Sequence, residues 1–254
     1  MTESPLLLAH VGQVATLTLN RPDKHNALDV TAMGAVADAI AGLADDPDLR
    51  VLVVTGAGGR TFCAGADLSN VGGDYPWSKD PLSRLCNSLE DFPRPTLCAL
   101  NGSVYGGGTD IAMACDFRLG QTGQRMFIPP ARFGIHYQIS GLRRAVERIG
   151  LSAAKRLYLG GETFDDQEML RVGFLDHLIA PEDFVARVQA YVAEVAGMAP
   201  LAVKGMKYVL NALARGDLDE NRAREGVLAC IRSDDLREGQ AAIAGKRKPI
   251  YQGK

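Results

Sequence analysis

Three consecutive glycines, Gly106-Gly107-Gly108, separate an apolar run from Pro95 to Tyr105 from the helix-forming segment Ile111-Ala112-Met113-Ala114, with Thr109 and Asp110 at the junction. Few backbones accommodate that order. A strand that feeds glycines into a helix brings bare N–H groups to a helix N-terminus, where negative charge is favoured and a ligand can approach without interference from Cβ. Asp110 stands within one turn of those groups, so a backbone anion site and a carboxylate fall together. Taken alone, the same residues also describe a tight strand-to-helix turn with a helix-end charge stabilised by the dipole.

The surrounding pattern is that of an α/β protein. Gln13 to Asn20 alternates like a half-buried strand and is broken by Arg21-Pro22-Asp23. Thr31 to Leu43 carries apolar residues at helical spacing, with Asp29 placed to cap its start. Arg50 to Thr55 is a β-branched run, which marks a strand buried on both faces, and Gly56 to Gly59 ends it. Pro95 to Tyr105 reads as one more such strand. Strands separated by helices imply parallel pairing through crossovers. From Leu68 the pattern dissolves around Gly72, Gly73, Tyr75, Pro76 and Trp77, and helical spacing resumes at Leu82 to Leu89; this stretch is a surface loop or a lid that shapes the substrate site. Past Pro181 only helical patterns remain, Phe184 to Gly197, Leu201 to Arg215 and Glu220 to Ala244. The expected organisation is a core over residues 1–195 and a helical C-terminal region over 196–254 that packs on the core or on neighbouring subunits.

Composition bounds the function. A chain of 254 residues with 46% hydrophobic content can bury a full core. A net charge of -2 argues against nucleic acid as a partner, and the one dense basic run is Lys246-Arg247-Lys248. No apolar run reaches the length of a membrane span, and the first residues lack the basic region of a secretory signal, so the expected compartment is cytoplasmic and no membrane partner is implied. Cys63, Cys86, Cys98, Cys115 and Cys230 are odd in number and without C-x-x-C spacing, which reads as reduced thiols. Neither the four histidines nor the carboxylates show metal-ligand spacing, so no metal is expected.

A second segment changes the weight of the glycine loop. Thr61-Phe62-Cys63-Ala64-Gly65-Ala66-Asp67-Leu68 follows the buried strand and its glycine turn, and its small residues allow backbone to approach a ligand. Two strand-end loops of this kind can aim N–H donors at one oxygen, the geometry of an oxyanion hole. With N-R-P-x-x-x-N-A-L at Asn20 to Leu28, F-C-A-G-A-D-L at Phe62 to Leu68 and N-G-x-x-x-G-G-G-x-D at Asn101 to Asp110, the chain resembles the crotonase (enoyl-CoA hydratase/isomerase) superfamily over essentially its full length. Cys115-Asp116, the stretch from Glu168 to Leu178 and the tail E-G-x-x-A-x-x-x-K-R-x-P at Glu238 to Pro249 extend the match.

The resemblance implies a crotonase-like spiral of ββα turns whose helical C-terminal region drives a homotrimer, often paired as a hexamer. It implies an acyl-CoA substrate and no separate cofactor, coenzyme A being part of the thioester. The donors it implies are the N–H groups of Ala66 and Gly107. Ala64, Ala66 and Leu68 match the strip lining the coenzyme, Lys24, His25 and Ala27 match the opposite wall, and Lys246 or Lys248 match residues that reach the nucleotide phosphates.

Two positions depart from the pattern. Hydratases of the family split water between two glutamates, where this chain has Asp110 and Pro130. Proline has no acid or base, so the water-activating pair is incomplete. Dienoyl-type isomerases tolerate Asp at the first position but add an acid downstream, and Ile135-His136-Tyr137-Gln138-Ile139 contains none. The arrangement F-x-x-P-x-x-x-G-x-x-Y-x-x-x-G from Phe127 to Gly141 is similar to the equivalent region of methylmalonyl-CoA decarboxylase, although that enzyme's histidine is replaced here by Ala66. The expected catalytic set is therefore Ala66 and Gly107 as donors, Asp110 as an acid/base or substrate-orienting carboxylate, and Tyr137 with His136 as auxiliary polar groups. The alternatives are decarboxylation of a malonyl-type thioester and a non-catalytic acyl-CoA-binding protein.

Overall fold

A computed structural model describes residues 4–67 and 80–254. The segment expected as an alternating strand forms β2 (Val14–Leu19), hydrogen-bonded antiparallel to β1 (Leu6–Val11) across a turn at Gly12, where φ is +57°. Ala15, Leu17 and Leu19 point into the core and are wholly buried, as the period of two demands. β3 (Val51–Gly56), β5 (Thr96–Leu100), β7 (Phe117–Gln121) and β10 (His177–Ile179) continue the sheet in parallel, in the order β1-β2-β3-β5-β7-β10. A second sheet, ordered β4-β6-β8-β9, is built from β4 (Thr61–Cys63), β6 (Ser103–Tyr105), β8 (Arg125–Phe127) and β9 (Thr163–Asp165).

From β3 to Tyr158, three successive turns of the chain each give a strand to the first sheet, a short strand to the second, and then a helix. The helices are α1 (Val30–Leu43), α2 (Pro81–Glu90), α3 (Gly107–Ala114), α4 (Ile139–Tyr158) and α5 (Asp166–Arg171). Asp29 caps α1, accepting a hydrogen bond from the Ala32 N–H. This is a ββα spiral. Phe62, Phe164 and Phe174 are buried to within 1% in the main core, each stabilising it by roughly 1.5–3 kcal/mol.

One expected strand is two. Pro95 to Tyr105 breaks at Asn101-Gly102, and its halves, β5 and β6, lie in different sheets. The Asn101 side chain donates to the Gly56 carbonyl at 2.6 Å and accepts from the Gly56 N–H at 3.3 Å, fastening the corner to the end of β3. A β-carbon on Gly102 would lie 2.6 Å from Arg60 C and Thr61 N, so only glycine lets the two corners nest.

At the C-terminus, α6 (Phe184–Ala196) covers the outer face of the first sheet, burying Phe184 and Val192 against Val51, Leu97 and Leu119. α7 (Pro200–Arg215) docks on the end of α2 through polar contacts: Asn211 Nδ2 donates to the Glu90 carbonyl at 2.9 Å, and Lys207 Nζ lies 2.7 Å from Asp116 Oδ2. The expected helix from Glu220 to Ala244 is divided into α8 (Glu220–Arg232) and α9 (Asp234–Ala244). Ser233, extended at φ -72° and ψ 154°, ends one and caps the other, its hydroxyl donating to Cys230 O and accepting from Leu236 N–H. Met206, Leu210, Val227 and Ile231 line an exposed apolar cavity of about 490 Å³ between α7 and α8. Among the described residues no helix is long and apolar enough to cross a membrane.

Candidate active site

The two glycine-bearing loops meet backbone to backbone. β-carbons on Gly65 and Gly108 would overlap Gly107 N and Cys63 O respectively, so the start of α3 lies against the chain leaving β4 with no room for side chains. Gly65, at φ +85°, turns that chain, and Gly106, at φ +51°, turns the other. Gly107 is the first residue of α3, so its N–H has no partner within the helix. Leu28 N–H donates to Gly65 O at 2.8 Å and Asp67 N–H to Leu28 O at 2.8 Å, which leaves the intervening Ala66 N–H outside the ladder. Among the described residues neither N–H has a backbone acceptor, and the two loops lie against each other at Gly65 and Gly107, with the Leu82 side chain leaning on Gly107.

The same bridge brings together the two walls expected of a coenzyme groove. Lys24 to Leu28 runs beside Ala64 to Asp67, with Ala64 N–H donating to His25 O at 3.0 Å. Asn26, 1% exposed and at φ +55°, pins this loop by donating to Ala57 O and Thr61 O and accepting from Arg21 N–H. Lys24 and His25 are exposed at the rim, Ala27, Ala64 and Ala66 are half-buried, and the Lys24 ammonium lies 3.7 Å from Asp67. Leu68, Tyr75 and Trp77, and with them the expected lid, lie outside the described residues. Lys246 and Lys248 are exposed beyond α9, and their ammonium groups join none of the ion pairs seen among the described residues.

Asp110 has a setting that its place in the sequence does not reveal. It is wholly buried, and both its oxygens are held by the equally buried Arg144 of α4: Nε to Oδ1 is 2.7 Å and Nη2 to Oδ2 is 3.2 Å. Arg144 also donates to Asn87 Oδ1 at 2.9 Å, Glu90 Oε2 at 2.9 Å and Ser140 Oγ at 3.4 Å. Arg143 adds a second guanidinium to Glu90 at 2.7 Å. Burial works against the charge of Arg144, but the Asp110 carboxylate beside it prevails and pushes the guanidinium's proton affinity up. Burial likewise opposes the Glu90 carboxylate, while Arg143 and Arg144 hold it below the usual range. Asp110, expected as an acid/base or substrate-orienting carboxylate, is sealed from solvent in the unliganded chain and paired with a cation.

Pro130 opens a short 3-10 turn, Pro130–Phe133, and Gly134 reverses the chain at φ +69° toward His136 and Tyr137. Tyr137 turns inward, its hydroxyl 3.5 Å from the Gly106 carbonyl and its ring edge-on to Tyr158 at 5.0 Å between centroids. Gly141 makes this approach feasible, since a β-carbon there would lie 2.5 Å from Tyr137 Cε1 and 2.8 Å from Asp110 Oδ2. Burial above all, then Tyr158 and Asp110, push the Tyr137 phenol up, so it keeps its proton through neutral pH. His136 is exposed, with Nδ1 2.8 Å from the Tyr137 carbonyl. The Tyr158 hydroxyl is buried without a well-formed hydrogen bond.

Arg144, Tyr158 and Glu90 are the site neighbours that sequence reasoning missed. A signal for Arg144 existed: Gly141, Arg144, Ala145 and Ile149 are the buried stripe of α4, so the arginine sits at an interior position of the helical period. Cys63 lies beside the glycine loops and is fully buried. Burial pushes its thiol up to about 12, and it serves as a packing residue that donates to Asn26 O. Among the described residues no cluster of His, Cys, Asp and Glu could hold a metal ion.

A ββα spiral with two facing glycine loops at its strand ends is the crotonase architecture. The family model for enoyl-CoA hydratase/isomerase matches residues 10–254, and the chain belongs to that family. It is 30% identical over 252 residues to carnitinyl-CoA dehydratase of Proteus mirabilis, covering 96% of each chain. It is 28% identical to crotonyl-CoA hydratase of Syntrophomonas wolfei across the whole of both. The crystal structure of an enoyl-CoA hydratase from Bacillus anthracis superposes with a TM-score of 0.88 at 26% identity, covering 98% of this chain and 100% of that one. These relatives make the protein an enzyme of lyase or isomerase type.

Proposed function

We propose that this protein binds an acyl-CoA thioester with its carbonyl oxygen between the N–H groups of Ala66 and Gly107, and that it accelerates a reaction passing through the thioester enolate. The observation that supports this reading is the direct backbone contact of Gly65 with Gly107, which sets the turn before Ala66 against the first residue of α3. Preorganised donors of this kind contribute on the order of 10²–10³ each in rate, because they need no reorganisation as charge develops on the oxygen. The coenzyme lies along the groove between Lys24, His25 and Ala27 and Ala64, Ala66 and Leu68. The names of the relatives, crotonyl-CoA hydratase and carnitinyl-CoA dehydratase, support a CoA thioester as substrate.

The second reading concerns the reaction. With Pro130 in place of one water-activating acid and Asp110 engaged by Arg144, hydration lacks its proton-transfer pair. Decarboxylation of a malonyl-type thioester needs no base: the C–C bond breaks, its electron pair enters the enolate held by the two N–H groups, carbon dioxide leaves, and a proton is delivered to the α-carbon. Tyr137, neutral and directed at the glycine loop, is the donor this reading favours, with Asp110 orienting and His136 a rim residue. Its assembly is a homotrimer or hexamer formed through the apolar face of α7 and α8.

The test is turnover. Purified protein is incubated with crotonyl-CoA and with methylmalonyl-CoA, and the products are weighed by mass spectrometry. Loss of carbon dioxide supports the second reading, gain of water returns the enzyme to hydration, and binding without turnover across a thioester panel makes it a binding protein. Failure to bind any thioester overturns the proposal.

A further inference from the structure

We propose that Arg144 is a positioning residue of this site, locking the oxyanion donor on α3 and Tyr137 at the head of α4 into one rigid unit through Asp110. The inference rests on the reading of Gly107 as a thioester donor. A guanidinium has five N–H groups, and all five of Arg144 are used: Nε on Asp110, Nη1 on Asn87 and Glu90, Nη2 on Asp110 and Ser140. None is left for a substrate carboxylate, so Arg144 does not act as an anion receptor. What it touches instead is every helix that walls the site.

Through Asn87 and Glu90 it holds α2, whose Leu82 rests on Gly107. Through Asp110 it holds the first turn of α3, three residues past the donor N–H. Its own helix begins at Ile139, two residues after Tyr137, and Ser140 on that first turn shares a 2.6 Å contact with Ser83 of α2. The planar fork fixes direction as well as distance, which a lysine ammonium cannot do. A buried ion pair is weak evidence for stability, because desolvation offsets the attraction, but each broken contact leaves a charge without a partner. Here the pair lies between the helix that opens with Gly107 and the segment that carries Tyr137, since Asp110 Oδ2 and the Tyr137 ring close on the same Gly141.

The experiment compares wild type, R144M and R144K by three readouts: hydrogen exchange without ligand at Thr109 to Ala112, where Thr109 N–H is bonded to Gly106 O and the later amides lie within α3, the red shift of a cinnamoyl-CoA chromophore on binding, and kcat and KM for the substrate found above. R144M is expected to speed exchange at the start of α3, reduce the red shift and lower kcat by roughly 10²-fold with KM within a few-fold of wild type. R144K, which keeps the charge and loses the fork, is expected to recover only part. Unchanged exchange at Thr109 to Ala112 in either variant overturns the inference, as does a global loss of protection with an intact red shift. If R144M does not fold, R144K carries the comparison alone. Wild type that fails to bind cinnamoyl-CoA refutes the thioester reading instead, while the exchange data still decide the role of Arg144.

Discussion

Gly65 abuts the backbone nitrogen of Gly107 so closely that a β-carbon on it would overlap that atom. The two loops of the site are thus placed by the absence of side chains. Gly65→Ala is expected to destabilise the protein by about 1–3 kcal/mol from the strain at its φ alone, before the overlap is counted. The displaced Gly107 N–H should also lower thioester turnover by roughly 10²-fold. Urea unfolding and steady-state kinetics on the same preparation check both.

Tyr137→Phe keeps the ring against Tyr158 and removes the hydroxyl. Turnover that uses this phenol as proton donor should fall by roughly 10²-fold or more, with thioester binding unchanged. Because the phenol's proton affinity is raised, the wild-type rate should show no alkaline limb from Tyr137 below about pH 10, its ordinary value. A rate equal to wild type in Tyr137→Phe removes it from the chemistry.

The C-terminal tail is anchored by Glu238, which accepts from both Arg247 nitrogens and from the Ile250 N–H. Arg247 first, then that N–H, bring its carboxyl down from 4.5 to about 2. A carboxylate whose folded value is depressed contributes stability that is complete above the unfolded value and vanishes as pH falls through the folded one. Tail docking should therefore weaken between about pH 4.5 and 2. Glu238→Gln should flatten that dependence; urea midpoints across the window measure it.

Ser233→Ala removes a hydroxyl that serves two helices at once. A loss of about 1 kcal/mol is expected, the usual cost of an N-cap, without any change in thioester affinity. Thermal unfolding and a binding isotherm separate the two effects.

The apolar face of α7 and α8 is exposed in a single chain. Replacing both Met206 and Ile231 by Glu should shift the protein to monomers on size-exclusion chromatography with light scattering, since two buried charges would oppose reassociation. An unchanged mass in that double variant removes this face from the assembly.

Much of this architecture was legible in the residues themselves. The alternation of β2, the β-branched run of β3, the cap at Asp29 and the glycine loops are local properties, fixed by steric and hydrogen-bonding preferences within a few residues, and they carried the family resemblance that the relatives confirm. The bend that splits β5 from β6 was less legible, because Asn101 acts on Gly56, 45 positions away. Arg144 and Asp110 are 34 residues apart, and nothing in either neighbourhood names the other as its partner. That pairing exists only once α2, α3 and α4 pack and leave a polar pocket that both charges must share. The sequence by itself determined the α/β pattern, the glycine loops and the family resemblance that implied the spiral; the tertiary structure alone decided that Asp110 is held by a cation, since desolvating a carboxylate requires a partner that only packing supplies.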